Sequence, residues 1–497
     1  MDENIMDGYL NAYSNNFDYN KKETAIILAA GHGKRIKSNT SKMLHKIWGI
    51  PTVERVSNSC RNGLEDANII IVTGIKADEV IKNLGKRKSV SYVYQAEQNG
   101  TGHAVQVALD KIDFEKYDGT IFVFPGDMGL LDKETVEFFK DEFLNSQADM
   151  MVLTGKYEGD IENNYYGRIV REKKTGKNKD FNQGNVLEII EYKDILNLGN
   201  DEFYTISHGG KKHKYSKKEL LEIREYNSGV FAFKADLLEE QIKNLQNNNV
   251  QKEIYLTDLI ALFNKSGYKV SAVYPKNEYV VMGFNNKSVL REMEGIARKI
   301  YYDKLKDIIT IEDPSDFFIE ESIIEELIQM DKEANILDIK IGKGVYVGKG
   351  VKLNYGVNLN RNVHVSGNIQ FGRNITVGSN TVLSCFYGQK IELGNDVRIG
   401  RGDSIKGNVS VDEKSIIETG VRITGNDDNH VKIGKNVTVK GISNIFGSII
   451  GDNINIEHSI IIKKQIEKPD NYKGDIFNVR FLMPASEGGD SLHDIKK

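Results

Sequence analysis

Cysteine is scarce in this chain, with Cys60 and Cys385 the two examples among 497 residues. They lie far apart in the sequence, which excludes a disulfide scaffold and a four-cysteine zinc site and suits a reducing compartment. Long apolar runs are missing too: no stretch approaches the roughly 18 residues that cross a membrane, and the amino terminus lacks the apolar core of a signal peptide. We therefore expect a soluble, cytoplasmic protein without a membrane span.

The chain also has no excess of positive charge. Lys and Arg number 67 against 71 Asp and Glu, so the formal net charge is −4. A chain of that charge has no general attraction for nucleic acid, and any recognition of phosphate must be local. The length by itself favours two or three domains.

A glycine turn behind an apolar strand is the first candidate for such local recognition. Residues 25–30 (AIILAA) are typical of a buried strand, and the backbone N–H groups of Gly31 and Gly33 are open to close approach by an anion. The turn alone fits an ordinary strand-to-loop connection equally well, because Ile36 replaces the third glycine of a dinucleotide fingerprint and no Walker A motif is present. Four cations crowd the turn: Lys34, Arg35, Lys37 and Lys42.

The longer stretch from Thr24 to Pro51 resembles the signature of sugar-nucleotide pyrophosphorylases, L-A-A-G-x-G-x-R followed by a lysine and by L-H-x-I-x-G-x-P. With this resemblance we expect the glycine turn and Arg35 to hold the departing β,γ-phosphates of a nucleotide, and Lys42 to neutralise charge on the transferred phosphorus. The substrate-binding residues implied here are Leu28, Ala29, Ala30, Gly31 and Gly33.

A second motif follows a predicted strand. Gln95–Ala104 (QAEQNGTGHA) resembles the uracil pocket of N-acetylglucosamine-1-phosphate uridyltransferases, which implies base contacts from Gln95, Gly100 and Thr101. The pattern alone also fits a strand–helix turn with Thr101 near the helix cap.

A third motif places a carboxylate, Asp127, after the buried run 121–124. An aspartate in that position is either a turn former or a ligand for Mg²⁺, which prefers carboxylates together with substrate phosphates. The family resemblance implies the ligand, with Pro125 and Gly126 against the substrate. Pro125 stands where the family often has tyrosine, and Gly129 where it usually has proline.

Five later motifs occur in the family's order, and the resemblance implies a role for most of them. Asn285, in a segment similar to G-V-N-N, is implied as the second magnesium ligand. Three others resemble sugar-binding segments: Gly167 in Y-G-R-I, Glu191 in V-E-x-K-D and Asn227 in N-T/S-G. Residues 253–258 resemble E-Y-Y-L-T-D. The chain thus resembles the bifunctional N-acetylglucosamine-1-phosphate uridyltransferase / glucosamine-1-phosphate acetyltransferase family.

Strand and helix patterns alternate through residues 23–285, which predicts a doubly wound, mostly parallel sheet of the nucleotidyltransferase type. An extension at 1–22, either mobile or one short helix, precedes this domain, and a helical linker at 286–334 follows it. The insertion Thr205–Lys218 separates the sugar motifs, and its lysines at 211–214 favour a solvated loop over a lid.

A six-residue repeat predicts a left-handed parallel β-helix at 335–464, before a loosely held tail at 465–497. Its breaks at Ser384–Glu392 and Thr424–Val431 predict extruded loops. The first repeat position is apolar at Ile341, Val347, Leu353, Leu359, Val365, Phe371, Val377 and Leu383, and again at Leu393, Ile399, Ile405, Val411, Ile417, Ile423, Ile433 and Val439; the fourth holds Gly344, Gly350, Gly356, Asn362, Asn368, Asn374 and Asn380.

The family resemblance implies a UDP-N-acetylglucosamine pyrophosphorylase that uses Mg²⁺, UTP and N-acetylglucosamine-1-phosphate. The β-helix pattern predicts assembly as a homotrimer. The acetyltransferase signature, G-N-F-V-E-x-K with H-L-x-Y-x-G-D, is not found, so we interpret the β-helix as assembly architecture. Three alternatives stay open: a bifunctional enzyme with a diverged second site, a nucleotidyltransferase of other specificity, and a non-catalytic nucleotide-sugar sensor.

Overall fold

The computed structural model describes residues 3–31, 33–173, 185–333 and 336–484. His32 of the glycine turn, the side chain of Lys34, and 485–497 of the predicted tail lie outside the described residues. The chain divides into two compact units, Met1–Glu294 and Gly295–Lys497. Within the described ranges, every helix is too short or too polar to traverse a lipid bilayer.

The first unit alternates strands with helices. The strands are β1 (Glu23–Ala29), β2 (Lys46–Ile47), β3 (Ile50–Pro51), β4 (Asn68–Thr73), β5 (Val90–Tyr94), β6 (Thr120–Pro125), β7 (Met150–Lys156), β8 (Arg168–Arg171), β9 (Val186–Ile190), β10 (Phe203–His208), β11 (Lys211–Ser216), β12 (Glu225–Lys234) and β13 (Val270–Val273). The helices are α1 (Glu3–Tyr13), α2 (Thr52–Gly63), α3 (Ala77–Leu84), α4 (Thr101–Leu109), α5 (Lys133–Ser146), α6 (Tyr192–Asn197), α7 (Lys217–Glu222), α8 (Ala235–Ile242), α9 (Leu259–Lys265) and α10 (Lys287–Leu305), which runs past the unit's last residue.

The main sheet has the strand order β13-β7-β12-β6-β1-β4-β5. β1 pairs in parallel with β4 and β6, whereas β12 runs antiparallel to β6 and β7. Successive residues of β1 face opposite sides of the sheet: Ala25 and Ile27 share a core with Phe139 of α5, and Ile26 shares another with Val105 of α4. The predicted doubly wound, mostly parallel sheet is therefore confirmed, with an apolar core on each face.

The insertion between the sugar motifs forms a hairpin of β10 and β11 followed by α7. Gly209 and Gly210 occupy its two-residue turn with φ of 57° and 76°, a geometry that favours glycine. The expected solvated loop at Lys211–Lys214 is thus wrong. Those residues form a strand because burial alternates from Lys212 onward: His213 and Tyr215 are buried, while Lys212 and Lys214 are exposed.

Three parallel sheets form the second unit, together with α11 (Glu321–Lys332). The first sheet contains Thr310–Ile311, Lys340–Ile341, Asn358–Leu359, Thr376–Val377, Arg398–Ile399, Ile416–Ile417, Thr438–Lys440, Ile454–Glu457 and Phe477–Arg480. The second contains Phe317–Ile319, Val345–Val347, His364–Ser366, Val382–Ser384, Ser404–Lys406, Arg422–Thr424, Asn444–Phe446 and Ile460–Ile462; the third contains Val351–Lys352, Ile369–Phe371, Ile391–Leu393, Val409–Val411, Val431–Ile433, Ile449–Ile450 and Gln465–Ile466.

Each regular coil takes 18 residues, as the pairing of Lys340 with Asn358 illustrates. All the apolar residues at the first repeat position are buried, which confirms the predicted β-helix. Positive φ occurs at the fourth position except at one corner, where Gly367 (φ 97°) adopts it instead of Asn368. Glycine takes this conformation at the lowest steric cost, so the left-handed residue of this corner is Gly367, one position before the predicted Asn368.

The two breaks in the repeat are loops between the second and third sheets. They are shorter than predicted, at 385–390 and about 425–430, because Ser384 and Glu392 already pair with neighbouring strands. The β-helix also extends beyond 335–464: Thr310–Ile311 and Phe317–Ile319 pair with it at one end, and Phe477–Arg480 does so within the segment expected as a tail.

A buried carboxyl in the β-helix predicts a pH-dependent stability. Asp403 is 1% exposed; its Oδ1 accepts a hydrogen bond from the Val421 N–H at 2.8 Å, and its Oδ2 has no partner among the described residues. Burial raises the pKa of Asp403 to about 6. The folded state therefore favours the protonated form, and the free energy of unfolding should fall as pH rises from 4 to 7, by up to about 3 kcal/mol from this group.

The Asp403→Asn variant should lose this part of the pH dependence, measured as the difference in unfolding free energy between pH 4.5 and pH 7.5. Asp396→Asn is the matched control, because Asp396 is exposed at a corner with φ 60°, a conformation that asparagine tolerates. A pH dependence that is the same in wild type and Asp403→Asn would contradict the prediction.

Candidate functional site

The glycine turn leaves the carboxyl end of β1 and leads into two short 3-10 turns, Lys34–Ile36 and Lys42–Leu44. Gly33 has φ 60°, and a Cβ added there would lie 2.8 Å from Cβ of Lys42. Only glycine therefore lets the Lys42 stem pack against the turn. The sheet edge continues at β6, where the Gly126 N–H donates to the Leu28 carbonyl at 2.9 Å and brings Asp127 beside the turn.

Three predicted site residues meet at the ammonium of Lys42. Its Nζ lies 2.5 Å from Oδ2 of Asp127 and donates to Oδ1 of Asn285 at 2.9 Å. The Lys42 and Asp127 side chains are 10% and 15% exposed, so water screens their attraction weakly. The loop after β1, the loop after β6 and the segment before α10 thus place one cation between two oxygen ligands.

This oxygen pair fits a divalent cation. Both oxygens lie within hydrogen-bonding distance of one nitrogen, so they are at most about 5.4 Å apart, and Mg²⁺ is usually held by one or two such groups plus substrate phosphates and water. In the described part of the chain, no group of three or more His, Cys, Asp or Glu side chains is arranged to hold a metal. Asp127 and Asn285 would therefore need substrate or water oxygens to complete the ion's shell.

A cavity of about 880 Å³ opens at this edge of the sheet. Ten of the predicted site residues line it: Leu28, Ala30, Gly31, Gln95, Gly100, Thr101, Pro125, Asp127, Glu191 and Asn227. The other predicted residues lie outside its lining. Ala29 is buried in the core, Arg35 is exposed on the first 3-10 turn, and the Gly167 carbonyl accepts from the Asn227 N–H at 2.9 Å.

Residues 25–181 match the family model described as the MobA-like NTP transferase domain. The first unit is thus similar to an NTP-transferase domain over those residues. The glycine turn, the predicted base-pocket motif and Asp127 fall inside the matched range, as does β1 apart from Glu23 and Thr24.

Curated relatives extend the match beyond this domain. Bifunctional protein GlmU of Clostridium tetani (strain Massachusetts / E88) is 35% identical over 302 residues, 60% of this chain and 58% of that protein. Its namesake in Clostridium botulinum (strain ATCC 19397 / Type A) is 36% identical over 276 residues, 55% and 52% of the two chains. The chain thus spans a little over half the length of these relatives, and the predicted family resemblance is confirmed over that part.

A solved structure described as UDP-glucose pyrophosphorylase complexed with UDP-glucose is 16% identical. The match covers 57% of this chain and 99% of that one, with a TM-score of 0.38.

In the first unit, hydrogen bonds join the predicted base-binding loop to the segment before α9. Gln95 donates from Nε2 to the Gly100 carbonyl at 3.1 Å, and the Leu256 N–H donates to Oγ1 of Thr101 at 3.1 Å. The Gly102 N–H donates to the Ile254 carbonyl at 2.8 Å. These contacts hold the loop as one wall of the cavity, so a nucleobase would meet a preformed surface.

Acidic side chains gather at the wall that contains Glu191. Burial, reinforced by the charges of Asp194 and Asp258, raises the pKa of Glu191 to about 7, while Arg168 opposes the shift. Burial and Asp194 likewise raise the pKa of Asp258 to about 6. A carboxyl with a pKa near neutrality exchanges between hydrogen-bond donor and acceptor over the physiological range.

Several residues of the site had no role assigned from the sequence. Glu253, Tyr255 and Thr257 line the cavity, and Oγ1 of Thr257 is buried without a partner among the described residues. Their motif was recognised, but its spacing does not say which side chains face the ligand. The sequence also predicted no role for Phe284, which is fully buried, with Lys42 Nζ 5.4 Å from the centre of its ring.

The close packing of the base-binding loop predicts that Gly100→Ala lowers the free energy of unfolding. Gly100 has φ 108°, and a Cβ there would lie 2.4 Å from the Ile254 carbonyl oxygen. Gly85 is the matched control, because its φ of 70° and ψ of −173° are similarly restrictive but nothing lies within 4 Å of the added Cβ.

Gly85→Ala should lower the unfolding free energy by about 1–3 kcal/mol through backbone strain alone. Gly100→Ala should cost more, and should weaken UTP binding about tenfold because the wall of the cavity must shift. Thermal unfolding and titration calorimetry measure the two effects. Equal losses in both variants, with UTP binding intact, would show that the contact with Ile254 is unimportant.

Proposed function

We propose that the NTP-transferase domain transfers uridylyl from UTP to N-acetylglucosamine-1-phosphate with Mg²⁺, giving UDP-N-acetylglucosamine and pyrophosphate. The observation that carries the proposal is the meeting of Lys42, Asp127 and Asn285 beside a cavity of nucleotide-sugar size. The matched domain supports nucleotidyl transfer as the reaction class. Uracil and N-acetylglucosamine rest on the family resemblance of the motifs around Gln95 and Asn227.

The reaction is a displacement at the α-phosphorus of the nucleotide. A phosphate oxygen of the sugar phosphate forms the new P–O bond, the bond to the β-phosphate oxygen breaks, and pyrophosphate leaves with the electron pair. The attacking phosphate is already anionic at neutral pH, so no general base is required. The difficulty is the mutual repulsion of two polyanions, which positioned cations relieve.

The residues of this chain divide that task. Lys42 would neutralise charge that develops on the transferred phosphorus, and the Gly31 and Gly33 amides with Arg35 would hold the departing phosphates. Gly167, Glu191 and Asn227 would orient the sugar. When bound by Asp127 and Asn285, Mg²⁺ supplies charge neutralisation and orients the phosphate groups.

For the second unit we propose assembly into a homotrimer. Its three sheets present flat outer walls of short parallel strands, a surface suited to packing against another copy. Of the described histidines in this unit, His364 stacks on Tyr346 and His458 on Phe481. We place the protein in the cytoplasm, where nucleoside triphosphates are available and the free thiols Cys60 and Cys385 stay reduced.

The proposal predicts that Lys42→Met lowers turnover on the order of 10²–10³-fold, as expected for loss of one positioned charge. Pyrophosphate release is measured with each of the four NTPs and several sugar-1-phosphates, with and without Mg²⁺. Lys46→Met is the control, because Lys46 is exposed nearby on β2. Near-normal turnover of Lys42→Met would refute the role of Lys42, and a preference for another base or sugar would refute the substrate assignment.

The raised pKa of Glu191 predicts a pH-dependent KM for the sugar phosphate. Above a pKa of about 7 the ionised carboxylate accepts hydrogen bonds from sugar hydroxyls, and these are stronger than bonds to the neutral acid. The KM for N-acetylglucosamine-1-phosphate should therefore fall about fivefold from pH 6 to pH 8. Glu191→Gln should remove this dependence and leave the KM for UTP unchanged; persistence of the pH effect in Glu191→Gln would assign it to another group.

A further inference from the structure

The Phe284 ring lies directly behind the cation centre. It is fully buried, and Lys42 Nζ sits over its face, 5.4 Å from the ring centre. An ammonium within about 6 Å of an aromatic face is attracted by the ring quadrupole, and more strongly where water is excluded. With the Lys42 side chain 10% exposed, this site meets both conditions.

The surroundings of the ring favour this attraction. His45 packs against Phe284 with ring centres 6.1 Å apart and planes at 84°. Burial lowers the pKa of His45, and the charge of Lys287 lowers it further, so the imidazole is neutral at neutral pH. No imidazolium therefore competes with Lys42 for the electrons of the ring.

The backbone couples the ring to a proposed metal ligand. Phe284 immediately precedes Asn285, and a Cβ added to Gly283 would lie 3.1 Å from Oδ1 of Asp127, so this segment packs closely on the carboxylate. The segment resembles G-V-N-N, but valine has no aromatic face.

Three described groups hold the Lys42 ammonium: Asp127, Asn285 and the Phe284 ring. Two of them are the oxygens assigned to the divalent cation, and a cation bound there would repel the ammonium and weaken their hold on the lysine. We propose that Phe284 is a positioning residue that keeps Lys42 at the reaction centre when Asp127 and Asn285 bind metal. This inference rests on the proposed function, and it assigns the ring no contact with substrate.

A graded change of the ring electrons tests the proposal without changing packing. Phe284 is replaced by phenylalanines carrying one, two or three ring fluorines, which weaken the quadrupole stepwise at nearly constant size. The logarithm of kcat should fall in proportion to the loss of cation binding, to about tenfold at three fluorines, with the KM for UTP and the thermal midpoint almost unchanged. A flat series would overturn the proposal.

A second readout follows Lys42 itself, with no turnover. Reductive methylation of Lys42 is measured by peptide mass spectrometry in wild type and Phe284→Leu, with and without Mg²⁺, relative to exposed Lys46. In Phe284→Leu the Lys42 rate should rise several-fold with Mg²⁺ and little without it, because Asp127 and Asn285 still hold the lysine when metal is absent. Equal rates in wild type and variant with Mg²⁺ would contradict the role of the ring.

The outcomes of these experiments distinguish a failure of the role of Phe284 from a failure of the proposed function. If Lys42→Met is inactive but the fluorinated series is flat, the role of Phe284 fails and the proposed function stands. If Lys42→Met retains normal turnover, the proposed role of Lys42 fails, and with it the reason for positioning that lysine.

Discussion

The ion pair between Lys42 and Asp127, shared with Asn285, is the contact on which the first unit's site depends. Asp127 is largely shielded from water, and an uncompensated carboxylate there would be costly and would repel phosphate. Lys42 removes both problems while the site is free of substrate. The same charges are then in place for chemistry between anions, because the lysine and the oxygen pair lie within one hydrogen bond of each other.

This contact requires nearly the whole unit to be folded. Lys42 and Asn285 are 243 positions apart in the chain, and Asp127 arrives from a third region. The parallel sheet solves the problem by ending several strands at one edge, where their loops meet. Glycines then allow close approach: Gly33 against the stem of Lys42, and Gly100 against the Ile254 backbone.

The second unit follows a different rule. Many residues of its β-helix pair with the residue 18 positions further on, so one short pattern of apolar and turn residues is reused from coil to coil. Two features depart from that regularity. Asp403 places a carboxyl at a position where the repeat otherwise has apolar or small residues. The two loops between the second and third sheets each lengthen a coil, so that Ile369, for example, pairs with Ile391.

The sequence by itself determined the features that depend on local periodicity: the buried strand before Gly31, the alternation of strands and helices, and the β-helix with its apolar first position. It also identified, by resemblance, ten of the residues that line the cavity, because those motifs are contiguous. Only the tertiary structure decided how separate motifs meet. Strand order and packing bring Lys42, Asp127 and Asn285 together and place the Lys42 ammonium over the Phe284 ring. Short-range spacing in the sequence does not encode these contacts.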